Sequence, residues 1–193
     1  MAVRRRPRSF TLIEVLIAIG ITAILSAIIF VAVSGAIEKA QTTQATQNAE
    51  KLRDATELYF RDMGFYPPDT NRGADPGFTQ SLPYYPDKED PALYVDSHCP
   101  SGWQSIVANQ WKGPYLAKWP TETPWGGKYD YNYWGSGGGR YGCTVPPGIY
   151  MGIQRDYDNQ NPIPSSVEQK LLDLGYDADG CLNGEAQLLL IKL

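Results

Sequence analysis

The segment that decides the fold lies near the N-terminus, where residues 10–33 read FTLIEVLIAIGITAILSAIIFVAV. Residues 15–33 are 19 consecutive positions without a charged side chain. A helix of about 20 apolar residues spans the roughly 30 Å hydrocarbon core of a bilayer. Four arginines within residues 4–8 precede the segment, and basic residues stay on the cytoplasmic side. The sequence therefore predicts one span of the inner (cytoplasmic) membrane, with a cytoplasmic N-terminus and the body outside.

Composition separates this segment from the rest of the chain. The 193 residues carry a net charge of −4, which leaves room for one domain besides the apolar segment. Without the four leader arginines, 13 basic residues face 21 acidic ones, a net charge of −8. Because an acidic body repels phosphates, we expect no nucleic-acid partner. The sequence also lacks a nucleophile–base pair, a metal-protease helix and a phosphate loop, so we predict a non-enzyme.

Glu14 is the unusual residue of the apolar segment. A charged side chain inside a membrane helix costs about 2.5–3.5 kcal/mol, and neither a cleaved signal peptide nor a plain anchor gains from it. One interpretation is a carboxylate that reaches the membrane interface. The other is a carboxylate with a cationic partner, such as the free amine that cleavage before Phe10 would create.

The residues around Glu14 carry a family resemblance. Residues 9–16, Ser-Phe-Thr-Leu-Ile-Glu-Val-Leu, resemble the prepilin leader shared by type IV pilins and type II secretion pseudopilins. The resemblance implies a leader at residues 1–9, cleavage between Ser9 and Phe10 by a prepilin peptidase, and N-methylation of Phe10. It also implies that Glu14 pairs with the Phe10 amine of a neighbouring subunit and so sets the register of a filament. Ser9 departs from the glycine that the family usually has before the cut.

One long helix is predicted from Phe10 to about Met63. Small residues in the apolar segment permit close helix packing, and apolar residues then recur every three or four positions up to Tyr59. Val31 stands where many family members have proline, so no helix break is expected there. Gly64 and the following prolines end the helix. Residues 55–67 resemble the helix exit of pseudopilins.

The sequence of the body predicts an α+β fold with a small antiparallel sheet and long loops. This is the pilin-like fold that the resemblance implies. Residues 110–116 and 123–131 resemble segments of the major pseudopilin of type II secretion. The predicted division is a leader at 1–9, a transmembrane and filament-core half-helix at 10–36, and a body at 37–193. Within the body we expect helix at 37–63, loops at 64–110, strands at 128–134, 148–154 and 186–193, a hairpin connection at 135–139 and a short helix at 167–174.

The three cysteines match no zinc or redox motif. A body outside the cytoplasm favours a disulfide, and we predict one between Cys143 and Cys181. Cys99 is then the remaining thiol, and its neighbour His98 is interpreted as an ordinary loop residue.

A structural calcium ion is the one cofactor considered, and no cofactor is required. The resemblance implies calcium in the C-terminal loop. Alternating acidic residues suit calcium, which takes several oxygen ligands. The candidate ligands are Asp156, Asp158, Asp177 and Asp179. The alternative is a pair of Asx turns.

The predicted function is a structural subunit of a type IV pilus-like filament, first of all the major pseudopilin of a type II secretion system. Its partners would be further copies of the chain, the prepilin peptidase, an inner-membrane assembly platform, minor pseudopilins and the membrane. The filament would be periplasmic or extracellular. The alternatives are a surface type IV pilin for adhesion, motility or DNA uptake, a membrane-anchored binding module that uses the aromatic body, and a secreted protein cut after Ser34.

Overall fold

A computed structural model describes residues 10–88, 90–92, 94–95, 98–154 and 162–193. The chain divides into two compact units, residues 1–40 and Gln41–Leu193. Helix α1 (Leu12–Met63) contributes to both. The predicted helix is therefore present and ends at the predicted residue, but it begins two residues later than expected.

In the first unit, the described residues form only the start of α1. Their side chains from Phe10 to Ile37 are exposed, with that of Val31 not described. By length and composition, α1 could cross a membrane.

In the second unit, α1 buries one face. Buried positions recur every three or four residues, as one face of a helix requires. The helix stops at Gly64, whose φ of 77° is left-handed and whose N–H donates to Phe60 O at 2.7 Å. The buried residues of this face are Ala45, Ala49, Leu52, Ala55, Tyr59 and Met63.

The main sheet covers that face of the helix. Its antiparallel strands lie in the order β5, β8, β9, and the row Tyr131, Met151 and Leu188 runs across it with all three side chains in the shared core. The α+β class is confirmed. The strands are β5 (Lys128–Trp134), β8 (Gly148–Gln154) and β9 (Ala186–Lys192), close to the predicted ranges.

The region 64–110, predicted as loops, contains regular structure. Two-residue strands pair as β1 with β4 and β2 with β3, and a helix of eight residues follows them. Two-residue strands are too short to leave an alternating pattern in the sequence. These elements are β1 (Asp69–Thr70), β2 (Tyr84–Tyr85), β3 (Asp90–Pro91), β4 (Tyr94–Val95) and α2 (Trp103–Gln110).

The glycine-rich segment 135–139 is more than a connection, because a second hairpin is inserted between β5 and β8. Its strands are β6 (Gly138–Arg140) and β7 (Cys143–Val145). The predicted short helix is present as α3 (Ser165–Asp173), which begins two residues earlier and ends one residue earlier than predicted.

Aromatic side chains between α2 and β5 close the core at the end of α1. Trp111 Nε1 donates to the carbonyl of Gly77 at 3.0 Å, and the Tyr115 hydroxyl donates to Asp62 Oδ2 at 3.1 Å. Trp119 is 1% exposed. These rings are structural, as aromatic side chains in a core usually are.

Candidate functional site

The first turn of α1 holds Glu14 in a capping box. The backbone N–H and the hydroxyl of Thr11 both donate to Glu14 Oε2 at 2.8 Å, and the N–H of Glu14 lies 3.3 Å from Thr11 Oγ1. This reciprocal pattern satisfies donors that a helix start otherwise leaves unpaired. Glu14 therefore has a local role that the sequence argument missed, although the Thr-x-x-Glu spacing was its signal. It also explains why the helix begins after Thr11.

Both Thr11 donors bind the same carboxylate oxygen. Within the described part of the chain, no hydrogen bond reaches the other oxygen, Glu14 Oε1. That oxygen is available to a cation supplied from elsewhere. Phe10, the predicted methylation residue, lies four residues before Glu14 and is 83% exposed. Ser9, on the other side of the predicted cut, lies outside the described residues.

Two polar side chains of the apolar surface that follows bond back to their own helix. The Thr22 hydroxyl donates to Ala18 O at 2.9 Å, and the Ser34 hydroxyl donates to Phe30 O at 2.9 Å. Such bonds remove the penalty of placing a hydroxyl in hydrocarbon. Gly20 has open space where a side chain would lie, so this position permits close approach of another helix.

Cys143 and Cys181 form a disulfide, the pair proposed from the sequence. Their Cα atoms are 6.1 Å apart, within the ordinary range for a disulfide. The bond joins β7 to the loop between α3 and β9. The third cysteine, Cys99, places its Sγ 3.7 Å from His98 Nε2, and the His98 ring stacks on Tyr133 at 3.6 Å between centroids.

The acidic loop before β9 is the described half of the predicted calcium site. Asp177 Oδ1 accepts the N–H of Gln187 at 2.9 Å, and Asp179 Oδ1 accepts the N–H of Cys181 at 2.8 Å. The Asp179 bond, and a longer one of 3.4 Å from the N–H of Asp179 to Asp177 Oδ1, are Asx-type contacts with the backbone two residues on. Asp177 Oδ2 is buried and has no hydrogen-bond partner among the described residues. Asp156 and Asp158, the other two predicted ligands, lie outside the described residues.

Burial first, and then the negative charge of Asp179, raise the pKa of Asp177 to about 7. A carboxylate in this position is stabilised by a proton or by a cation. Sequence reasoning missed a third acid here, Glu168 on α3. Its Oε1 accepts the N–H groups of Asn183, Gly184 and Glu185 at 3.0–3.1 Å. The signal was an acidic residue between Val167 and Leu171 on the buried face of α3.

Comparison with known proteins agrees with the N-terminal motif. Residues 4–30 match the family model described as the prokaryotic N-terminal methylation motif. The type II secretion system core protein G of Escherichia coli (strain K12) is 28% identical over 154 residues, which cover 80% of this chain and 91% of that protein. No solved structure matches the chain.

The predicted resemblance to the type IV pilin-like family, and to the type II secretion pseudopilins in particular, is confirmed by these two similarities. They support a pilin-like filament subunit. The methylation motif and the apolar start of α1 also fit a membrane-anchored pilin.

Proposed function

We propose that the chain is the major pseudopilin of a type II protein secretion system, a subunit that polymerises from the inner membrane into a periplasmic filament. The observation that carries the proposal is the methylation motif, which sets Glu14 in the first turn of an apolar helix with exposed side chains. The similarity to core protein G supports the secretion system over a surface pilus.

In the proposed mechanism, a prepilin peptidase cuts between Ser9 and Phe10 and the new amine of Phe10 is methylated. The amine is a cation at the membrane end of the helix. Glu14 Oε1 of one subunit then pairs with the Phe10 amine of its neighbour, while Oε2 keeps the Thr11 cap. An unpaired carboxylate in the membrane costs about 2.5–3.5 kcal/mol, so the pair favours one register between subunits.

The capping box makes a sharp test possible. Glutamine preserves a capping box but carries no charge, whereas alanine removes both. We expect Glu14→Gln and Glu14→Ala to be inserted and cleaved like the unchanged chain, and both to assemble poorly. Thr11→Val, which keeps the charge and removes the cap, should still assemble. The measurements are leader cleavage by mass and filament yield after shearing or crosslinking.

If Glu14→Gln assembles normally while Glu14→Ala does not, the cap matters and the ion pair is wrong. A secretion assay separates the pseudopilin from a surface pilin. Loss of the chain should stop export of folded proteins from the periplasm, whereas loss of twitching or DNA uptake with intact export would favour the pilin.

A calcium ion in the C-terminal loop is the second part of the proposal. The buried, unpartnered Asp177 Oδ2 fits such an ion, and Asp179 is the neighbouring carboxylate. Asp156 and Asp158 would complete the oxygen set that calcium requires. When bound, the ion would supply positive charge that neutralises the acidic loop.

The test of the ion is thermal unfolding of the body with calcium and with a chelator. We expect the chelator to lower the melting temperature of the unchanged chain and to leave that of Asp177→Asn unaffected, because Asn keeps the backbone contact at Oδ1 but loses the charge. An unchanged midpoint in the unchanged chain would reject the ion.

A further inference from the structure

The face of the main sheet opposite α1 borders a cavity of about 1090 Å³ within the second unit. Ligand sites are typically concavities of about 300–1,000 Å³ with a few converging polar groups. Residues of β5 form its floor, β1 lies at one side, and the hairpin of β6 and β7 lies at the other. Filament assembly through α1 assigns no role to this cavity.

The floor contains a buried carboxylate with an unsatisfied oxygen. Asp130 is 5% exposed, and its Oδ2 accepts a hydrogen bond from Gln154 Nε2 at 2.7 Å. No donor reaches Asp130 Oδ1 among the described residues. Asp130 Oδ1 has almost no accessible surface and lies just beneath the floor, so only a group that enters the floor can pair with it.

Asp69 and Arg72 line the same cavity. The negative charge of Asp69 adds to the effect of burial on the pKa of Asp130, and the positive charge of Arg72 opposes it. Burial raises the pKa of Asp69 to about 6 and that of Asp130 to about 7. Near neutral pH the floor can therefore donate one proton and also accept hydrogen bonds. Hydroxyl groups, which do both, are suitable partners.

The wall supplies positive charge against aromatic faces. The guanidinium of Arg140 lies 5.2 Å from the Trp134 ring centroid, and the ammonium of Lys88 lies 4.0 Å from that of Tyr85. Neither cation forms a direct ion pair within the described ranges, although the charge of Arg140 acts on the carboxyl group of Asp69. A guanidinium presents several in-plane N–H donors and binds a carboxylate through two of them.

The hairpin tip places a large aromatic residue where the backbone disfavours one. Tyr141 has φ 50° and Gly142 has φ 86°, between the paired residues Arg140 and Cys143. Two-residue turns with both φ values positive favour Asn, Asp or Gly. Tyr141 is 48% exposed, lines the cavity, and accepts a hydrogen bond from Gln154 Nε2 at its hydroxyl, 3.1 Å away. A strained backbone of this kind is often held for a function of the side chain.

We propose that this cavity binds an acidic saccharide. Sugar hydroxyls would pair with Asp130 Oδ1 and the groups around it, a sugar ring would contact the exposed Tyr141 face, and a sugar carboxylate would pair with Arg140. An apolar ligand would leave the polar side chains of the floor unpaired. The site does not depend on the proposed filament role.

The experiment is calorimetric titration of the full-length chain in detergent micelles with trigalacturonic acid. Its methyl ester, which keeps the sugar rings and hydroxyls but removes the charge, is the matched probe. We expect the acid to bind saturably and the ester to bind more weakly by about tenfold or more. The reason is that the ester loses a charge-assisted pair. Arg140→Gln should weaken binding of the acid by a similar factor, so that the variant no longer prefers the acid to the ester.

Lys118→Gln is the matched control, because Lys118 is exposed and does not line the cavity. Tyr141→Asn tests the strained turn. Since Asn suits this backbone, the variant should melt within a few degrees of the unchanged chain yet lose affinity. No binding of either probe at millimolar concentration, equal affinity for acid and ester, or equal losses in Arg140→Gln and Lys118→Gln would overturn the proposal.

Discussion

The two parts of α1 have the same backbone and opposite surroundings. Side chains in the first part, such as Leu25 at 52% exposure, lie on the surface of the chain, whereas Leu52 in the second part is 1% exposed. The first part is apolar all round, while apolar residues in the second recur every three or four positions. An apolar surface of this extent on a monomer marks contact with a membrane or another protein. The second pattern marks contact with the chain's own core.

Loss of the disulfide should have the largest effect, because it should destabilise the second part and leave the first unchanged. Replacing Cys143 and Cys181 together by serine opens a loop with a sequence separation of 38 residues. The loop-entropy model predicts a loss of about 4 kcal/mol in the free energy of unfolding. Urea unfolding monitored by tryptophan fluorescence would measure it, and membrane insertion should be unchanged. An unchanged urea midpoint would contradict the structural role of the bond.

The same substitution in both parts sharpens the comparison. Leu52→Ala should destabilise the body by about 3 kcal/mol, since it leaves a cavity in the core. Leu25→Ala should change the unfolding free energy of the body by less than about 0.5 kcal/mol, as surface substitutions do. Equal losses in the two variants would show that Leu25 packs against the body.

The pH dependence of the body should differ from ordinary acid denaturation. Asp130 and Asp177 have pKa values raised to about 7 by burial, above those of the unfolded chain. The folded state then holds more protons between about pH 4 and 7, so stability falls as the pH rises through that range. With a chelator present, we expect the body to lose about 2 kcal/mol between pH 6 and pH 7, which is about 1 kcal/mol for each of the two groups.

Asp130→Asn should reduce this slope, because one of the two groups no longer titrates. Thermal or urea unfolding at several pH values is the measurement. A chelated body that is as stable at pH 8 as at pH 5 would contradict the assignment.

The smallest expected effect lies at the helix start. Thr11→Val removes the capping hydroxyl and should fray the first turn by about 1 kcal/mol, seen as faster amide hydrogen exchange near Glu14. Thr22→Val is the matched control, because the Thr22 hydroxyl only bonds back to its own helix. Equal exchange in both variants would contradict the capping role.

The sequence was sufficient for elements with a long or regular signal. The apolar run and its periodic continuation predicted α1, and the alternating residues of Lys128–Trp134 predicted β5 with its observed ends. Methylation of Phe10 and pairing of Glu14 between subunits stay predictions.

The sequence was insufficient where contacts are distant or elements are short. The strands β1 to β4 leave no periodic pattern, and α2 buries only Trp103 and Val107. Asp130 is buried although it is a charged residue between aromatic residues of β5, and no local pattern encodes that burial. The capping box was different, because its Thr-x-x-Glu signal is present in residues 11–14 and is compatible with the pairing role predicted for Glu14.

The central claim is that the chain is cut before Phe10 and becomes a filament subunit. Mass spectrometry of the N-terminal peptide from membrane fractions tests it most directly. The account predicts a mature chain that begins with N-methylated Phe10 and retains Glu14. A mature chain that begins at Gly35, or one that keeps residues 1–9, would contradict it.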